Sequence, residues 1–225
     1  MVKININDKQ YEIPERLTIE QYHNLLQFDW QDPKLYPIMV SQLIKAPLPL
    51  LAKAPKKSLE LAVSFVISIM NKRTKCEMID LEGMTFGQFV DLDVYLSQGL
   101  DKRFKDITDV LTTAKWADEA MYAIDQYAKF RLYTYRQYKV LFGIRDEDLE
   151  AAKDDPINPD KMHVARSWYK VIVSLAMDNI LNLDAVTEQP LKKTLNFMAL
   201  QKERALEEQQ KQLEQKRKYD LQRNR

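Results

Sequence analysis

The chain has 225 residues, long enough to bury a substantial core in one or two domains. Its 34 basic residues nearly cancel its 33 acidic ones, for a net charge of +1, so no global field points to nucleic acid or to a membrane surface. Four glycines argue against a hairpin-rich β protein and against Gly-rich phosphate loops, and a single cysteine, Cys76, excludes an internal disulfide framework.

The segments "VKINI" and "YEIP" alternate apolar and polar residues around the turn-prone "NDKQ", which reads as a small two-stranded hairpin over residues 1–17. The same opening is too polar for a signal peptide. Helical signals begin at Thr18. Thr18 and Gln21 fit a capping box, in which each side chain satisfies a backbone N–H left open in the first turn, and Leu17 and Tyr22 fit its hydrophobic staple. "IEQYHNLLQF" is then one helix, and Asp32 with Pro33 starts another. The three prolines of "KAPLPLLAKAPKKS" allow one short helix at most. Ser58 is read as the N-cap of a helix reaching about Lys72 and central to the core. Its most apolar run, Leu61 to Met70, is ten residues, about half a membrane span, so no membrane partner is expected.

Thr85 and Gln88 repeat the capping box, with Met84 and Phe89 as staple and Gly99 as stop, for a helix from about Phe86 to Gln98. A long helix is expected from Lys115 to Gly143. An acidic, proline-broken link follows, then a helix capped by Asn158 and Pro159 that runs to "DNIL", then a last helix from near Pro190 to the end. The expected organisation is an N-terminal hairpin (1–17), a helical body (18–145), an acidic link with C-terminal helices (146–200) and a charged helical tail (201–225). The fold class is all-α with one small N-terminal hairpin and a long protruding C-terminal helix.

Two aspartates, Asp91 and Asp93, stand two apart in "MTFGQFVDLDVYL". On a strand they would share a face and could work as a carboxylate pair; on a helix they diverge. The capped helix decides against a dyad. Asp93 follows Phe89 by four and precedes Leu96 by three, so its helix turns it toward apolar neighbours. Arg131 occupies a core-side position of the long helix, on the line Ala117, Met121, Ile124, Ala128, Arg131, Tyr135, Tyr138 and Phe142. A lone buried charge is costly, and each of these residues is the partner the other needs. Either Asp93 and Arg131 form a buried ion pair, or both lie at an edge and meet water.

The same long helix carries Lys129, Tyr133, Arg136 and Val140 down a second side. Tyrosines among bases suit stacking and phosphate contacts with single-stranded nucleic acid, but Tyr and Arg are also enriched at protein interfaces. Core plus subunit interface is the preferred reading; a solvated face and nucleic acid stand behind it. Metal binding is not expected, since His23, Cys76 and His163 show no ligand spacing, and no cofactor motif occurs. From Gln201 onward few apolar residues remain. Ala199, Leu206 and Leu213 recur every seven, but Asp220 breaks the series and no second seam accompanies it. A solvated helix held by a neighbouring subunit, through Leu206 and Leu213, is the expectation.

The segments "KININDKQYEIPERLTIEQY", "FGQFVDLDVYL" and "WADEAMYAIDQYAKFRLYTYRQYKVLFG" resemble a small helical protein encoded among the neck and tail genes of crAss-like tailed bacteriophages. The resemblance covers roughly residues 1–145 and transfers no functional residues. It implies a virion component, made in the host cytoplasm, that forms a ring of the neck or tail and contacts copies of itself and neighbouring neck or tail proteins. The alternative it implies is a tail-assembly chaperone that holds a tape-measure-like partner and leaves before completion.

Overall fold

The structure is a computed structural model that describes residues 2–6, 9–44, 46–143, 147 and 168–223. It is mainly helical, with one two-stranded hairpin at its N-terminus and a long C-terminal helix. The chain divides into two compact units, Met1–Ile79 with Val94–Lys129, and Asp80–Asp93 with Phe130–Arg225.

In the first unit, β1 (Val2–Ile6) pairs antiparallel with β2 (Lys9–Ile13), with Ile4 opposite Tyr11 and Ile6 opposite Lys9. The period-two pattern places Ile4, Ile6 and Ile13 inside and Lys3 and Asn5 outside. Lys9 and Gln10 belong to the second strand rather than to a four-residue turn. The capping box starts α1 (Ile19–Leu25): Thr18 Oγ1 accepts the Gln21 N–H at 3.1 Å, and Gln21 Oε1 accepts the Thr18 N–H at 3.0 Å. A 3₁₀ turn (Pro33–Leu35), capped by Asp32, leads into α2 (Tyr36–Ser41) and then α3 (Leu48–Ala52).

Helix α4 (Lys56–Met70) buries Leu59, Ala62, Val63, Val66, Ile69 and Met70. Its N-cap is Pro55, so Ser58 is not the cap; it falls in the first turn, because the preceding prolines already preset the entry. Helix α5 (Phe86–Gln98) has the expected start, with Thr85 and Gln88 bonded reciprocally at 2.9 and 3.2 Å. Gly99, at φ 96° and ψ 145°, occupies backbone space that other residues avoid, and it ends α5 and opens α6 (Leu100–Leu111). No helix was expected over 100–111. Phe104, Ile107, Thr108 and Leu111 recur at three- and four-residue steps and are all buried, the signal that marks α6 as amphipathic. Tyr22 of α1 stacks on Phe104 of α6 with ring centroids 4.7 Å apart.

Helix α7 (Ala117–Gln137) stops short of the expected Gly143. Tyr138 leaves helical geometry, and the four-residue α8 (Lys139–Phe142) closes on Gly143, left-handed at φ 61°. In the second unit, α9 (Trp168–Leu175) ends before the expected "DNIL", because Met177 and Asp178 adopt positive φ of 54° and 57°. The cap proposed at Asn158 and Pro159 and the acidic link lie outside the described residues. A 3₁₀ turn (Ile180–Asn182) and α10 (Leu183–Thr187), neither of them expected, lead to α11 (Leu191–Arg223), which begins where Pro190 placed it.

Two backbone bonds tie the start of α11 to the start of α5: Phe86 N–H to Gln189 C=O at 2.8 Å and Leu191 N–H to Met84 C=O at 3.0 Å. Gly87 lets the two segments approach closely there. A Cβ on it would stand 3.0 Å from Thr187 Cβ and 3.2 Å from the Thr187 carbonyl. Among the described residues, no helix is long and apolar enough to cross a membrane.

Candidate functional site

The polar centre of the second unit is the Asp93 carboxylate. Four residues of α5, α7 and α9 meet there. Asp93 Oδ1 accepts from Arg131 Nε and Nη2, both at 2.6 Å, and from the Tyr135 hydroxyl at 2.6 Å; Oδ2 accepts from Trp168 Nε1 at 2.6 Å. Asp93 and Arg131 are each 2% exposed. Arg131 and Tyr135 stand one turn apart on α7, so one helix face supplies both donors. Burial first, and the adjacent carboxylate second, push the Tyr135 phenol well above its ordinary value of 10.0, which keeps it a proton donor to Asp93. A sleeve of edge-on aromatic rings surrounds the cluster: Trp168 with Phe86, Phe89 and Phe142, and Tyr135 with Phe89 and Phe142. The sequence pattern pointed to Asp93 and Arg131 but gave no sign of Trp168. A buried carboxylate that accepts from donors on two other helix segments inside such a sleeve holds helices in place.

The first unit has a second polar cluster, at the start of α7. Arg16 donates to Asp118 Oδ1 at 2.8 Å and to Glu119 Oε1 at 2.8 Å, and Thr74 donates to Asp118 Oδ2. Burial pulls the Asp118 carboxyl up, but the Thr74 hydroxyl and the Arg16 guanidinium outweigh it and hold the group below its ordinary range. Cys76, beside this cluster, donates its thiol to the Glu119 carbonyl at 3.3 Å. His23 is half-buried on α1, and His163 lies outside the described residues. Among the described residues, no three His, Cys, Asp or Glu gather in a way that could hold a metal ion. Asp91 is exposed on the side of α5 away from Asp93.

The expected interface residues are all at the surface. Lys129, Tyr133 and Arg136 are exposed along α7, and the Tyr133 hydroxyl accepts from Gln137. Leu206 and Leu213 are exposed on α11, as is every residue from Gln201 to Tyr219.

What sequence reasoning missed is a groove in the second unit between α9 and the root of α11. It encloses about 760 Å³ and is floored by Val171, Leu175, Phe197 and Met198. A smaller hollow of about 250 Å³ continues from Leu175 and Phe197 toward Lys193. Lys170, Lys193 and Lys202 stand around these hollows, and no carboxylate lines them among the described residues. Met177 at the groove's edge, and Ile180 and Leu181 after it in the chain, are each exposed over 77–84% of their surface. Exposed apolar side chains beside an apolar hollow are a feature of interaction sites. In "WYKVIVSLAM" the exposed Lys170 and Ser174 share one face and the rest is apolar, while Leu191, Thr194 and Leu195 are the buried residues of the C-terminal helix among those described.

No protein-family model matches the chain, and no curated protein or solved structure does either.

Proposed function

We propose that this protein is a non-enzymatic structural subunit of a tailed-phage virion, part of a symmetric ring in the neck or tail, and that it works through protein–protein contacts. One observation carries the reading: about five turns of α11, exposed at every residue from Gln201 to Tyr219, form an arm in the same unit as an apolar groove that stands open among the described residues. An arm with so few apolar groups gains little from its own chain and is suited to being held by a neighbour. The phage assignment is supported by the resemblance of residues 1–145 described above.

The tape-measure-holding assembly chaperone is the second reading, favoured by the methionines Met177 and Met198 at the groove, since flexible thioether side chains adapt to varied apolar helices. Mass spectrometry of purified particles separates the two. A structural subunit is present in mature virions at a fixed ratio to the other neck and tail proteins. Its absence from particles, with abundance in infected cells, would overturn the structural reading in favour of the chaperone.

A further inference from the structure

Three surfaces compete for a role: the exposed face of α7, the arm of α11, and the apolar groove beside its root. The arm and the groove fit each other. At about 100° per residue, Leu206 and Leu213 lie within roughly 20° of one line along α11. Glu203, Glu207 and Glu214 fall together on one flank of that line, about 60–100° around the helix. The groove offers the complement: an apolar floor of Val171, Leu175 and Phe197, rimmed by Lys170, Lys193 and Lys202 with no carboxylate among its described lining residues.

The occupant cannot be the chain's own arm. Phe197, Met198 and Lys202 belong to the same continuous helix as Leu206, which lies only nine residues beyond Phe197. A helix rises about 1.5 Å per residue and does not fold back on itself, so Leu206 and Leu213 extend away from their own groove. Pairing of two arms with each other is disfavoured as well. A coiled coil needs two apolar positions per heptad, and the positions between Leu206 and Leu213 that would complete the seam are Gln209 and Gln210.

We infer that the arm of one copy lies in the groove of the next, with Leu206 and Leu213 on the apolar floor and the glutamate flank against the lysine rim. This rests on the proposal that copies of the chain contact one another. Donor and acceptor are different patches, so the contact is heterologous: each copy gives an arm and receives one, and repetition closes a ring or extends a filament.

Two full-length variants test it, each soluble-surface in design: Leu213→Glu spoils the arm and leaves the groove, and Phe197→Glu spoils the groove and leaves the arm. Both positions are more than half exposed, at 58% and 52%, so neither change intrudes on the core. By sedimentation, the unaltered chain self-associates, and each variant alone weakens that association by at least about tenfold. An equimolar mixture of the two recovers one intact interface and stops at a heterodimer. A second measurement uses charge: Lys170→Glu with Lys193→Glu, or Glu207→Lys with Glu214→Lys, weakens association, and all four changes in one chain restore it. A monomeric parent chain at all concentrations overturns the inference. So does a mixture that fails to pair, or a Phe197→Glu chain that associates like the parent. The particle assay is independent: presence in virions without arm-in-groove pairing defeats this contact and spares the functional reading.

Discussion

Trp168 and Asp93, 75 positions apart in the sequence, are joined by a 2.6 Å hydrogen bond from the indole N–H to Oδ2. Among the described residues the indole is the donor to Oδ2, while Oδ1 serves Arg131 and Tyr135. The carboxylate therefore fastens α9 and α7 to α5, and each partner has a separate energetic share. Removing the anion leaves a guanidinium, a phenol and an indole N–H buried together without their acceptor.

Asp93→Ala is expected to destabilise the second unit by about 3–5 kcal/mol, the range for stripping one partner from a buried ion pair. Asp93→Asn fares little better, because its amide N–H₂ would face donors. Trp168→Phe keeps the ring edges and loses only the hydrogen bond, for about 1–3 kcal/mol. Urea denaturation at pH 7 measures all three. In a cycle with Arg131→Met, the double variant Asp93→Leu/Arg131→Met is less destabilised than the sum of its singles. Additive losses would mean the two residues are not energetically paired.

How far the sequence disclosed this site follows from what carries each contact. Asp93 and Arg131 were legible because both stand at core-facing helical positions, and a charge there demands a counter-charge. Trp168 was not, since nothing local to a tryptophan names the acceptor it will meet 75 residues away. The capping boxes were legible because their bonds close over three residues. Helix α6 carried a readable three-four pattern in Phe104, Ile107, Thr108 and Leu111, and Gly99 was read only as a stop when its positive φ serves both helices. The groove was hidden for a different reason: whether Phe197 and Val171 are covered depends on which elements pack above them, and periodicity does not report that.

The two capping boxes give a local test. Thr18→Ala and Thr85→Ala each remove an acceptor for a first-turn N–H and are expected to cost about 1 kcal/mol. Thr85→Ser retains the hydroxyl and recovers most of that loss. The comparison of Ala and Ser variants by thermal or urea melting separates the hydrogen bond from the methyl group. A Thr85→Ser chain as unstable as Thr85→Ala would show that packing, not capping, matters there.

Acid should weaken the first unit through Asp118. Its folded pKa is held below the unfolded value by Thr74 and Arg16, so its contribution is complete above the ordinary carboxylate pKa, about 4, and is lost as pH falls through the folded value. Asp118→Asn is expected to lose about 1–3 kcal/mol at pH 7 and to show a shallower decline of stability below pH 5 than the parent. Stability curves at pH 7, 5 and 3 read this directly. Equal acid slopes in parent and variant would assign the acid limb to other carboxylates.

The arm makes the last prediction, and it follows from apolar area. Beyond Lys202 the chain offers Ala205, Leu206, Leu213, Tyr219 and Leu221 as its apolar or aromatic groups, against ordering costs on the order of 1–2 kcal/mol per residue. Residues 201–219 are exposed throughout, so little of that small apolar area is covered within the chain. Helical propensity is high, with Ala, Leu, Glu, Gln, Lys and Arg throughout, and supports a helix that frays from its free end. Limited trypsin treatment of the dilute protein is therefore expected to cut after Lys202 and at the basic positions beyond it, leaving a stable fragment that ends near the root of α11. Deleting residues 203–225 should leave the denaturation midpoint of the body within about 0.5 kcal/mol of the parent, the range for changes away from packed features. The same deletion should abolish self-association, because each copy loses its donor surface and keeps only its groove. If the deletion instead unfolds the chain, the arm is structural to its own body and the argument from apolar area fails. If association survives the deletion, the contacts between copies lie elsewhere, and the exposed α7 face with Lys129, Tyr133 and Arg136 becomes the surface to alter next.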